Sequence, residues 1–176
     1  MAATLSALVL AGVMSAFLFI VRTGYRASSY SRTESELRRG LETFARDARQ
    51  ALDVRWSSAQ SLTLILPDTA APQVTYAYDG TAGSATHRCF YREAVTGGTA
   101  QPRQVLVRNL APDFTFRRYR LETPGSAAAE PAANDLETKQ IQLILRVVGD
   151  NPAAVPAATQ AAFSARYVLR NKKVSN

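Results

Sequence analysis

Residues able to do acid–base or nucleophilic chemistry are few. The chain has one histidine, His87, and one cysteine, Cys89. On a strand, a spacing of two would put both side chains on one face, as a Cys/His pair requires. The run RCFYR around them reads as strand, so Cys89 is expected to be a small buried hydrophobe and His87 a loop-edge residue. A lone cysteine makes no internal disulfide, and one His with one Cys builds no Cys/His zinc site. No D-x-D-x-D-G calcium loop occurs. Asp68, Asp79, Asp113 and Asp135 stand singly in turn-like sequence and are expected to be turn residues. No convergent acid, base or nucleophile set emerges, so no catalytic, cofactor-binding or metal-binding residue and no small-molecule substrate is assigned.

Charge narrows the partners. With 21 Lys+Arg against 14 Asp+Glu, the net charge is +7 and the pI near 10.0. The arginines are dispersed and many sit beside acids, and no zinc-finger or RNP pattern occurs, so no nucleic acid is expected. A solvated basic surface, facing anionic lipid near Arg22 and Arg26, is the simpler reading.

The elements that position these residues begin with a helix. Ala2 to Val21 contains no charge and no proline, and at ~1.5 Å per residue spans about 30 Å, the thickness of a bilayer core. From Arg22 to Asp53 there is again no proline, and Leu37, Leu41, Phe44, Ala48 and Leu52 recur as one helical stripe. Ala3, Ala7, Ala11 and Ser15 fall at intervals of four, a narrow face of small residues that lets neighbouring helix backbones approach.

From Val54 the hydrophobic period changes from helical to two. SLTLIL (61–66) and QVTYAY (73–78) alternate, and the latter leads into the hairpin signal Asp79-Gly80. His87–Glu93 is expected to be the returning strand, followed by QVLV (104–107) and FTFRRY (114–119). Thr123–Asp135 and Asp150–Gln160, rich in Ala and Pro, are expected to be loops. Lys139–Val148 places Ile141, Leu143, Leu145 and Val147 on one face, and Ala162–Leu169 does the same with Phe163, Ala165, Tyr167 and Leu169. The pattern predicts an α+β fold, a long N-terminal α-helix packed on a small antiparallel β-sheet head through Leu37, Leu41, Phe44, Ala48 and Leu52. Its divisions are 1–21 (apolar membrane or filament-core helix), 22–53 (amphipathic helix) and 54–176 (head).

The apolar TLSALVLAGVMSAFLFIV, the helix end LRRGLETFARDARQALDV, and the succession SLTLIL, VTYAYD, QVLVRNL, FTFRRY, KQIQLIL and FSARYVLRN carry a family resemblance. Together they resemble type IV pilin-like proteins, more narrowly the minor pilins and pseudopilins of the secretion-system J class. The resemblance implies a structural and assembly subunit of a type IV pilus or type II secretion-like filament, whose apolar helices bundle while the heads coat it or form its tip. Other pilin or pseudopilin subunits, and inner-membrane lipid before assembly, are the implied partners. The implied location is the bacterial inner membrane, single-pass, with the head in the periplasm. Family precursors begin with a basic leader ending in Gly, then Phe-Thr-Leu-x-Glu. This sequence enters several residues into the apolar helix, which suggests a missing leader, and no cleavage site or assembly glutamate is carried over. The alternative is a single-pass membrane-anchored β-domain binding module outside any filament.

Overall fold

The structure is a computed structural model that describes residues 2–70, 72–121, 130–148 and 161–173. The backbone is helical over α1 (Ala2–Gln50). Its side chains are described in two short stretches, 12–19 and 33–50, and at Val21. The chain divides into two compact units, Met1–Glu36 and Leu37–Asn176. Among the described residues, the second unit holds nine strands: β1 (Asp53–Ser58), β2 (Ser61–Ile65), β3 (Gln73–Asp79), β4 (Cys89–Thr96), β5 (Thr99–Ala100), β6 (Gln104–Val107), β7 (Thr115–Tyr119), β8 (Gln140–Val147) and β9 (Ala161–Val168).

These strands form two antiparallel sheets. The larger runs β1-β2-β3-β4-β5, with β6 also paired to β4; the smaller runs β7-β8-β9. Alternation in the sequence sets both registers: Leu62 faces Tyr76 and Leu64 faces Val74 across β2–β3, while Leu143 lies between Phe116 and Ala165 in the smaller sheet. Slipping any of these pairs by one residue would turn an apolar set to solvent. At the β4–β5 turn, Gly97 and Gly98 both have positive φ (58° and 81°), as a two-residue turn between Thr96 and Thr99 requires.

The last turns of α1 close the core between the sheets. Leu37, Phe44 and Ala48 are buried with Val54, Leu62, Leu64, Val74 and Phe90 from the larger sheet and Phe116, Ile141, Leu143 and Leu145 from the smaller. Phe44 joins the two: its ring centroid lies 4.9 Å from Tyr76 and 6.3 Å from Phe90, and 5.8 Å from Phe116 and 5.1 Å from Tyr167. Gly40 allows a close approach, because a Cβ there would stand 3.0 Å from Val107 Cγ2 and 3.3 Å from the Leu106 carbonyl oxygen.

Several expectations are corrected. The fold is not a half-apolar helix resting on one small sheet: among the residues described with side chains, strand outweighs helix, the strands form two antiparallel sheets, and the helical stretches so described, 12–19 and 33–50, are short. Nine strands already have both an inner and an outer face to satisfy, so two sheets cover each other and the helix fills the gap between them. Among the described residues, no helix is long and apolar enough to cross a membrane. The transmembrane helix, the single-pass inner-membrane location and the membrane-anchored alternative are therefore not supported. The helix ends at Gln50 rather than Asp53, because the Leu52 amide leaves the helical pattern to donate to the Ile65 carbonyl at 2.8 Å and Asp53 opens β1. Leu52 consequently turns outward, 47% exposed, and Ala51 is buried in its place. The expected loop 123–135 is only partly described; its end, Glu130–Asp135, is bonded to the head. The expected loop 150–160 lies outside the described residues.

Candidate functional site

Two groups of residues could act beyond folding, an apolar helical surface and a set of buried charges. The first lies on α1. Gly12–Phe19 are all exposed, and among them Val13 is 62%, Met14 59%, Phe17 62%, Leu18 51% and Phe19 71% exposed. At 100° per residue, Val13, Met14, Phe17, Leu18 and Val21 share one broad face. Gly12, Ser15 and Ala16 lie opposite, with Phe19 among them. No charged side chain interrupts the segment. Of the small-residue set, Ser15 is exposed on this helix, and the side chains of Ala3, Ala7 and Ala11 lie outside the described residues.

Of the proposed helix-to-sheet set, Leu37, Phe44 and Ala48 meet in the core, Leu41 packs half-buried on its margin, and Leu52 does not take part. Beside them the helix carries a buried charge that the sequence reading did not single out. Asp47, 3% exposed, accepts from the Tyr76 hydroxyl at 2.8 Å and from Arg92 Nε at 2.9 Å. Burial, then the charge and hydrogen bond of Asp47, push the Tyr76 hydroxyl well above its ordinary pKa, so it stays a donor. The signal was present: Asp47 follows Phe44 by three residues and precedes Ala48 directly, which places it at the border of the apolar stripe. A buried carboxylate held by an arginine and a tyrosine ties α1 to β3 and β4.

The second group surrounds Asp79 at the end of β3. Its carboxylate accepts from the Ser84 and Thr86 hydroxyls, each at 2.6 Å, from the Thr81 amide at 2.9 Å and from Arg103 Nη1 at 3.0 Å. The hydroxyl bonds from Ser84 and Thr86, with the Thr81 amide, hold its pKa far below the usual carboxylate range. Arg103 also pairs with Glu93 at 3.2 Å and lies 4.4 Å from the centre of the Tyr91 ring. Asp79, Thr81, Ser84, Tyr91 and Arg103, with Gln60 and Tyr78, border an open polar cleft of about 620 Å³.

The cleft's arrangement is that of a fixed loop rather than a reacting centre. Both carboxylate oxygens of Asp79 already accept donors from its own loop, and the Arg103 guanidinium is shared between two carboxylates. The Asp79-Gly80 signal thus does stand between two antiparallel strands, β3 and β4, joined by a nine-residue connection, Gly80–Arg88, folded around one carboxylate. Asp68 makes a local turn through the Ala70 amide at 2.9 Å. Asp113 and Asp135 do more than turn the chain: Asp113 pairs with Arg146 at 3.0 Å, and Asp135 joins Arg118 at 2.8 Å and the Trp56 amide at 3.0 Å.

His87 and Cys89 are not brought together as a pair. His87 is exposed in the connection before β4, whereas Cys89 opens that strand and is 4% exposed. Arg88 between them has φ 56°, which breaks the alternation that would have aligned the two side chains. Among the described residues, no group of three or more His, Cys, Asp or Glu side chains is placed to hold a metal ion.

No protein-family model matches this chain, and no curated protein matches it. The assignment to a type IV pilus or to type II secretion therefore has no support from relatives.

Proposed function

We propose that the chain is a structural subunit that assembles with others through the apolar surface of α1, in the manner of the minor pilins and pseudopilins its segment order resembles. The observation that carries this reading is the exposure of Val13, Met14, Phe17, Leu18 and Phe19 on one uncharged stretch of helix. A helix that is apolar on every side is stable in water only when something covers it. Leaving one large apolar side chain in water forgoes about 1.5–3 kcal/mol, so Val13, Met14, Phe17 and Leu18 together are a substantial driving force for association. Apart from Phe19, the two sides of the stretch also differ in bulk. Packing a bulky face of one helix against the smaller face of the next is a heterologous contact, which repeats into open polymers where the rotation does not close.

The buried Asp47–Arg92–Tyr76 set supports the same reading from the head side. It fixes the end of α1 to the larger sheet within the unit Leu37–Asn176, which gives the head a folded core of its own. Replacing Phe17 and Leu18 with Asp tests the proposal. Assembly measured by sedimentation should be lost, while the near-ultraviolet circular dichroism of the head stays unchanged. Sedimentation equal to that of the parent chain would refute it.

A further inference from the structure

We propose that the segment Leu169–Lys172 is a latch that caps the C-terminal end of α1 and fixes the junction between α1 and β1. A helix leaves its last four carbonyls without an intrahelical partner and concentrates partial negative charge there. Many helices answer this locally with a left-handed glycine. Here the residues after Gln50 are Ala51, Leu52 and Asp53, with no glycine among them. The final helical bond is the Ala51 amide to the Asp47 carbonyl at 2.9 Å, and the chain enters the sheet ladder at Leu52. The donors come instead from some 120 residues along the chain.

Asn171 Nδ2 donates to the Gln50 carbonyl at 3.4 Å. Lys172 is 3% exposed, and its ammonium reaches Asp53 Oδ1 at 2.6 Å, so a buried cation stands beside the first residue of β1. The segment is held from behind as well. Leu169 is fully buried in the core and its amide donates to the Lys139 carbonyl at 2.9 Å. The Lys139 ammonium in turn donates to the Lys172 and Arg170 carbonyls. Contacts therefore fall on both sides of Ala51, at Gln50 and at Asp53, which is the point where helix becomes strand. Since most of these bonds are side-chain bonds at the edge of the core, the latch can open without the sheets separating, as a local unit of lower stability than the core. This holds whether or not the chain assembles through its apolar helix.

The test is amide hydrogen exchange on the full chain carrying Lys172→Met, which keeps most of the aliphatic stem and removes the ammonium, alone and with Asn171→Ala. Exchange at Ala51, Leu52 and Leu169 should rise at least tenfold, with the β3 and β4 amides unchanged. Rates within twofold of the parent at those three amides would overturn the latch. So would an equal acceleration across all strands, which would mean that Lys172 only adds to global stability. Should Lys172→Met fail to fold, Asp53→Asn gives the same reading with less disruption: faster exchange confined to Ala51, Leu52 and Leu169 supports the latch, and unchanged or uniformly faster exchange refutes it.

Discussion

Phe44→Ala is the substitution whose cost can be argued furthest. Phe44 is fully buried and its ring meets four other rings, Tyr76 and Phe90 from the larger sheet and Phe116 and Tyr167 from the smaller. Removing a buried Phe costs about 3–5 kcal/mol, depending on how far the surroundings collapse into the space. Collapse is restricted here, because the rings around Phe44 sit on two sheets whose registers are fixed by long ladders. The expected loss is therefore at the upper end, about 5 kcal/mol, comparable to the whole stability of many domains of this size. Urea unfolding of the unit Leu37–Asn176, followed through the single tryptophan, gives the number directly; Trp56 lies 6.3 Å from Phe116 and reports on the same core. Leu52→Ala is the control, since Leu52 points outward, and should stay within about 0.5 kcal/mol of the parent. A loss below about 1.5 kcal/mol for Phe44→Ala, or one equal to that of Leu52→Ala, would show that the helix end is not the element joining the sheets.

Two further predictions concern charge. Arg92→Leu alone strands the Asp47 carboxylate in the core and should cost about 3–5 kcal/mol, whereas adding Asp47→Leu should recover most of that loss; a double mutant as unstable as the single, in the same urea assay, would refute the pairing. Asp79 is held ionised in the folded state, its pKa far below that of the unfolded chain. Its contribution is therefore complete above the ordinary carboxylate pKa of about 4 and fades as the pH falls below it. Melting temperatures of the parent should drop more steeply than those of Asp79→Asn between about pH 4 and pH 2, and parallel curves would contradict the network around Asp79.

Much of the strand order was legible because alternation is a local signal: VTYAY, QIQLILRV and FSARYV each show their period within a few residues. The β4–β5 hairpin was missed although Gly97-Gly98 marks it, since strands of two residues carry no period of their own. β1 was missed because DVRWSS holds only Val54 and Trp56 as apolar positions, and the helical stripe before it drew Leu52 and Asp53 into the helix. How strands divide into sheets is not a local property. Nothing in the sequence of β7 tells that it leaves the larger sheet and pairs with β8, and the prediction of one sheet failed there. The buried charges were hidden for a related reason. Asp47 and Arg92 are 45 residues apart and become partners only once α1 lies on β4. Asp79 was read as a turn residue; it is the last residue of β3, and the Arg103 that completes its shell comes from beyond the next strand. The lysine latch likewise joins residues at opposite ends of the head, Asp53 and Lys172.

The central claim is that the exposed apolar stretch of α1 is covered by other helices, and photo-crosslinking tests it most directly. A photoreactive phenylalanine placed at position 17 in the full chain, irradiated in its native host, should yield covalent adducts with the helical segment of another copy or of a related subunit, identified by mass spectrometry. Adducts with lipid alone, or with no partner at all, would contradict assembly through α1.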